Sequence, residues 1–163
     1  MTRHLLVPAL FATALLCIGC SRAGQATAVT ASAASTHASS TDATAAMNGV
    51  IVHASALPTA DLNEAVARQY GLTRDAGTLL LLVTVRDANG DAVPADAVKV
   101  QARAGVLPDA LAPLALRAIE TNGLTDYIGT VSAHAPASVQ FEVDATRGGA
   151  HSKMSFTRDL LPR

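Results

Sequence analysis

Thr78-Leu-Leu-Leu-Leu-Val-Thr-Val-Arg86 is the stretch whose reading decides the fold. Leu79 to Val83 leave no polar face, so a strand here must be covered on both sides, and Thr84 and Arg86 restore alternation near its end. The run is too short for a buried helix and is closed by Asp87-Ala-Asn-Gly90. A central strand from Thr78 to about Asp87 follows.

Upstream of it, Asn48 to Ala56 alternates weakly and reads as a first strand stopped by Pro58. Asp61-Leu-Asn-Glu64 has the form of a capping box with Asp61 as N-cap. Leu62, Val66 and Tyr70 then share a helical face before Gly71, which predicts a short helix. Downstream, Asn89-Gly90 signals a turn, with Pro94 close behind working against a tight hairpin. Val98 to Ala104 alternates with Lys99, Gln101 and Arg103 outward; Gly105 to Ala112 reads as a loop. Leu114 to Glu120 reads as one strand, joined through Asn122-Gly123 to Asp126–Ala133. Val139 to Ala145 and Ser152 to about Arg158 form a last pair around Arg147-Gly-Gly-Ala150, with Phe141, Met154 and Phe156 inward. About seven short strands and one small helix predict an all-β chain, an immunoglobulin-like β-sandwich over residues 48–163.

The N-terminus has a different character. A short basic start, Met1-Thr-Arg-His4, precedes an apolar run from Leu5 to Ile18 that is too short to span a bilayer comfortably and matches a secretory leader. Its ending, Cys17-Ile-Gly-Cys20, resembles a bacterial lipoprotein lipobox, with Cys17 where Leu is usual. On that resemblance residues 1–19 are the signal peptide and Cys20 is the lipidated N-terminus, anchored stably because several acyl chains share one residue. Ser21 resembles the signal for the outer membrane, which places the chain on its periplasmic side. The same four residues spell C-x-x-C, but a redox pair needs a βα context that a leader lacks; a plain cleaved signal is the other alternative. Residues 20–47 then form a tether of Ala, Ser, Thr and Gly with too few large apolar side chains to offset the entropy of ordering. The simpler view of it is a filler of no particular length; the functional one is a spacer that lets the domain search near the membrane.

Composition narrows the function further. The chain has 163 residues and a formal net charge of -1, so no basic field draws nucleic acid. After the leader the rings are Tyr70, Tyr127, Phe141 and Phe156, with no Trp, enough for one domain of roughly a hundred residues. Nucleophile-elbow, zincin, P-loop and dinucleotide signatures are missing, which implies neither an enzyme nor a cofactor.

Gly49-Val-Ile-Val-His-Ala-Ser-Ala56, Glu64-Ala-Val-Ala-Arg-Gln-Tyr-Gly-Leu-Thr-Arg74 and Leu79-Leu-Leu-Leu-Val-Thr-Val85 resemble the opening of the DUF4426 family of small exported proteins. Asp126-Tyr-Ile-Gly-Thr130 and Met154-Ser-Phe156 resemble its later strands. The resemblance implies an immunoglobulin-like sandwich and brings no catalytic residues. This chain departs from the family at Ala54 and Asp126, where aromatic residues are usual.

Candidate sites are few. His53, His134 and His151 lie in the domain without ligand-pair spacing, so a metal or catalytic site would have to assemble through folding; solvent-exposed histidines are the plainer reading. Asp61 and Glu64 are explained by capping, Glu142 and Asp144 by the wet face of a strand. Tyr70, Arg74 and Tyr127 are the candidates for an interaction surface, against core packing for the tyrosines and a solvated charge for Arg74. The function implied is a lipid-anchored envelope module that binds another envelope component, with a metal-binding protein or an enzyme as the alternative.

Overall fold

The computed structural model describes residues 40–162. The expectations for the leader, for Cys20 and for the tether up to residue 39 lie outside them. In chain order the elements are β1 Asp42–Met47, β2 Val50–Pro58, a 3-10 turn Thr59–Asp61, α1 Glu64–Tyr70, β3 Thr78–Asp87, β4 Lys99–Val106, β5 Ala112–Leu114, β6 Arg117–Thr121, β7 Leu124–Ser132, β8 Ala137–Arg147 and β9 Ala150–Leu160. They form a five-stranded sheet, β1-β2-β3-β7-β6, and a four-stranded sheet, β5-β4-β8-β9, with antiparallel pairing throughout. The all-β sandwich with one short helix is as expected, with nine strands rather than about seven.

β3 is the middle strand of its sheet and is covered on both faces. Leu79, Leu81, Val83 and Val85 face the inter-sheet core with Val52, Ala54, Phe141, Val143, Met154 and Phe156. Leu80 turns the other way and is buried with Leu62, Ala67, Ile119 and Ile128, where α1 lies on the sheet. Each such leucine, withdrawn from water, contributes about 2 kcal/mol. Phe141 and Phe156 stack across β8 and β9 with ring centroids 5.4 Å apart.

Four expectations are corrected. The strand expected from Asn48 begins at Val50, and Asn48-Gly49 is a turn with both residues at positive φ (41° and 75°), the geometry that matches hairpin twist. The turn returns the chain from β1, which occupies residues assigned to the tether. β1 is built from small residues, yet it pairs with β2 along its length and buries Met47, while Ala43 and Ala45 pack on the core. Asn63, not Asp61, caps α1, its Oδ1 accepting from Ala65 N at 2.8 Å; Asp61 ends the 3-10 turn instead. Leu114 to Glu120 is not one strand: β5 pairs with β4 and β6 with β7, so the chain changes sheets at Ala115-Leu116. Gly129 of β7 makes room for this crossing, since a Cβ there would lie 3.0 Å from both Ala115 O and Leu114 Cγ.

Asn89-Gly90 does turn the chain, but not into a hairpin of β3 with β4. Asp87 Oδ1 accepts from Asn89 N and Asp91 N, and these bonds hold its carboxyl below the usual range. Arg86 then bridges Ala92 before the chain crosses to the other sheet through buried Val93 and Val98. Asn122-Gly123 makes the hairpin of β6 and β7 as expected.

Candidate functional site

Alternation along the strands sorts the polar side chains onto two outer faces. On the four-stranded sheet, Arg103, Glu142 and Lys153 lie across β4, β8 and β9. Glu142 is largely withdrawn from solvent and faces two cations, with Lys153 Nζ at 2.9 Å and Arg103 at 3.8 Å. The Glu142 carboxylate beside it raises the pKa of Lys153, aided by the charge of Asp144. One step along, His151 Nε2 stands 3.4 Å from Asp144 Oδ1. This face is a flat lattice of paired charges.

The outer face of the five-stranded sheet is divided. α1 covers the part over β3, β7 and β6, where Leu80, Ile119 and Ile128 are buried. The strip over β1 and β2 is bare: Ile51 is 39% exposed, and His53 accompanies it on the same side of β2. His53 Nδ1 is 2.9 Å from Thr44 Oγ1 and 4.0 Å from Asp42 Oδ2. Between strip and helix, Arg86 reaches Asp126 Oδ1 at 2.5 Å and donates to Val85 O and Thr125 O. Asp126 thus completes an ion pair that is mostly withdrawn from water.

The three candidate surface residues are not brought together. Tyr70 packs on the small cluster under α1, and its carbonyl accepts from Arg117 Nη2. Arg74 is exposed, and its Nη2 donates to Ala60 O at 2.8 Å, fastening the 3-10 turn. Thr59 reinforces the same turn, its Oγ1 donating to Asp75 O and accepting from Asp75 N. Tyr127 points to the opposite side of the sheet, packs against the main core and donates to Ala95 O at 3.0 Å; burial raises its pKa. His53, His134 and His151 also fall on separate elements, and among the described residues no three His, Cys, Asp or Glu side chains gather as metal ligands.

Sequence reading missed the concave surface. Two grooves adjoin at the end of the sandwich where β2, β4 and β9 finish, one of about 400 Å³ and one of about 170 Å³. Leu107, Pro136 and Leu161 line the larger; Pro58, Arg158 and Pro162 line the smaller. Arg158 lies opposite Val139 in the register, and its Nε is buried without a hydrogen bond. Leu107 is 45% and Leu161 71% exposed. They sit beyond the last residues of β4 and β9, where alternation no longer predicts which way a side chain faces.

Comparison with known proteins agrees with this architecture. No curated protein matches the sequence. A solved DUF4426 family protein from Pseudomonas aeruginosa PAO1 superposes with a TM-score of 0.59 at 17% identity, covering 76% of this chain and 97% of its own. A copper-bound variant of FetP from uropathogenic Escherichia coli strain F11 superposes with a TM-score of 0.50 at 11% identity, over 76% of this chain and 97% of its own. At such identities the likeness is one of fold. The family described as "Domain of unknown function (DUF4426)" matches residues 44–162, so it takes in most of β1 and every later strand; the chain belongs to the DUF4426 family.

Proposed function

We propose that this chain is a lipid-anchored, non-enzymatic binding module of the bacterial envelope, held at the periplasmic side of the outer membrane through Cys20. Its partner is another envelope protein, met on the α1 side of the five-stranded sheet. The observation that carries this reading is the uneven cover of that sheet: α1 shields one part, and the strip bearing Ile51 and His53 is left open. Tyr70 and Arg74 lie on the same side, on α1 and the loop after it, and extend the surface; Tyr127 faces the core and does not. The lattice of charge pairs on the other sheet offers no comparable apolar anchor.

In-cell crosslinking of the full chain followed by mass spectrometry tests it. One reproducible envelope protein is expected, lost in Cys20→Ala and reduced severalfold in Ile51→Arg, which alters an exposed side chain and leaves the core intact. Capture that survives Ile51→Arg unchanged would move the surface elsewhere; no capture from either form would end the binding reading.

A metal-handling role has less to stand on. His53 and His151 each have one carboxylate neighbour, short of a closed ligand set. Calorimetric titration with Cu²⁺ and Zn²⁺ is expected to be flat, and stoichiometric binding abolished by His53→Ala would reverse the choice.

A further inference from the structure

We infer that the open end of the sandwich, with Leu107, Leu161, Pro136 and Pro162, rests on a lipid bilayer. Three features of the described residues converge there. Ile51, Leu107 and Leu161 are the exposed large hydrophobic residues, and two of the three line the same groove. Both lie just outside strands, Leu107 after β4 and Leu161 after β9, so they project from the rim of the rigid sandwich. The chain also enters the domain at this end. Thr41 O accepts from Ala56 N at 3.1 Å, two residues before Pro58, which lines the smaller groove, and β1 then runs beside β9.

This inference rests on Cys20 being the anchor. From Cys20 to Thr41 there are then 20 linking residues, and a free chain of that length reaches about 25 Å on average. β9 alone, with eleven residues, spans about 36 Å. With an anchor at Cys20, a linker of so few residues favours the end where the chain enters as the one nearer the lipid. Exposed leucines and prolines at a rim bury their surface in the headgroup and acyl boundary, as interfacial anchors do. Asp61, Arg158 and Asp159, the last tied to Ser138 at 2.6 Å, lie at the same rim, so the exposed leucines and prolines make the contact and no basic patch draws anionic lipid. The far end, with the Asn48-Gly49 and Asn89-Gly90 turns, is left pointing away from the membrane.

The chain has no Trp, so Leu161→Trp places a single emitter at the open end and Asn89→Trp one at the far end. Each full chain is expressed with its own leader and reconstituted into vesicles of phosphatidylethanolamine and phosphatidylglycerol containing acyl-brominated lipid. Acyl attachment is read by intact mass, and folding by circular dichroism. The expected result is an attached chain in which Trp at 161 shifts to shorter wavelength and is quenched by bromine, while Trp at 89 is not. Adding Leu107→Glu to the first variant should lessen the quenching. An attached chain with neither position quenched would overturn the bilayer contact and leave the anchor standing. Quenching at 161 without acylation would support the contact and remove the anchor. A blue shift without quenching, accompanied by dimers, would overturn the contact in favour of a second copy of this chain.

Discussion

Arg86 and Asp126 show how far one side chain's role depends on partners distant in sequence. Arg86 sits near the end of β3, and its guanidinium is satisfied by Val85 O, Thr125 O and the Asp126 carboxylate, the last 40 positions away. Both side chains are mostly withdrawn from water, so removing one strands the other's charge. Asp126→Ala is expected to destabilise the domain by about 2–3 kcal/mol in urea unfolding, more than a surface pair would cost. A loss below about 0.5 kcal/mol would mean that water replaces the pair. Ala54, by contrast, is fully buried on the inner face of β2, where its small side chain only fills space in the core.

At the scale of elements, β1 is the decisive case. Its sequence, Asp42-Ala-Thr-Ala-Ala-Met47, looks like the preceding low-complexity stretch, and its place in the sheet comes from pairing with β2 across the Asn48-Gly49 turn. A chain beginning at Asn48 would lose buried Met47, uncover Ala43 and Ala45 contacts and leave β2 as a long unpaired edge. That truncation is expected to unfold at lower urea by about 2–4 kcal/mol, or to aggregate, whereas one beginning at residue 40 keeps full stability. Equal stability of the two would show that β1 is dispensable. The Asn48-Gly49 pair reads in sequence as the start of the first strand, although Asn-Gly is a hairpin-turn signal. What hid β1 was its scarcity of β-branched and large apolar side chains, the usual local marks of a strand: Thr44 and Met47 are the only two. The sheet change at Ala115-Leu116 leaves a local trace, since the apolar parity shifts from Leu114 and Leu116 to Ile119, but the space that admits it, at Gly129, lies on another strand.

For the whole molecule, the charge pairs on the four-stranded sheet set how stability responds to pH. The pKa of Lys153 is raised in the folded chain by its close pairing with the Glu142 carboxylate. Its stabilisation is therefore complete below its ordinary value of 10.5 and is lost as pH rises through the higher folded value. Asp87 behaves oppositely, contributing above 3.8 and losing its contribution as pH falls through its lowered folded value. Urea midpoints of wild type and Lys153→Met should differ by a constant amount from neutral pH up to about 10 and converge, on the alkaline side, only in strong alkali. Wild type and Asp87→Asn should converge only in acid, and convergence near neutrality in either pair would contradict these assignments.

The sequence by itself determined the class of the fold, the central place of Thr78–Asp87, the inward positions of Phe141, Met154 and Phe156, and the family, because strand alternation and turn chemistry are local properties of the chain. Tertiary structure alone decided which strands share a sheet, that Ala and Thr at 42–47 form an edge, that Tyr70 and Tyr127 face opposite ways, and where the open grooves lie. Those outcomes depend on contacts between residues far apart in the chain, whose energies appear only when both partners are in place.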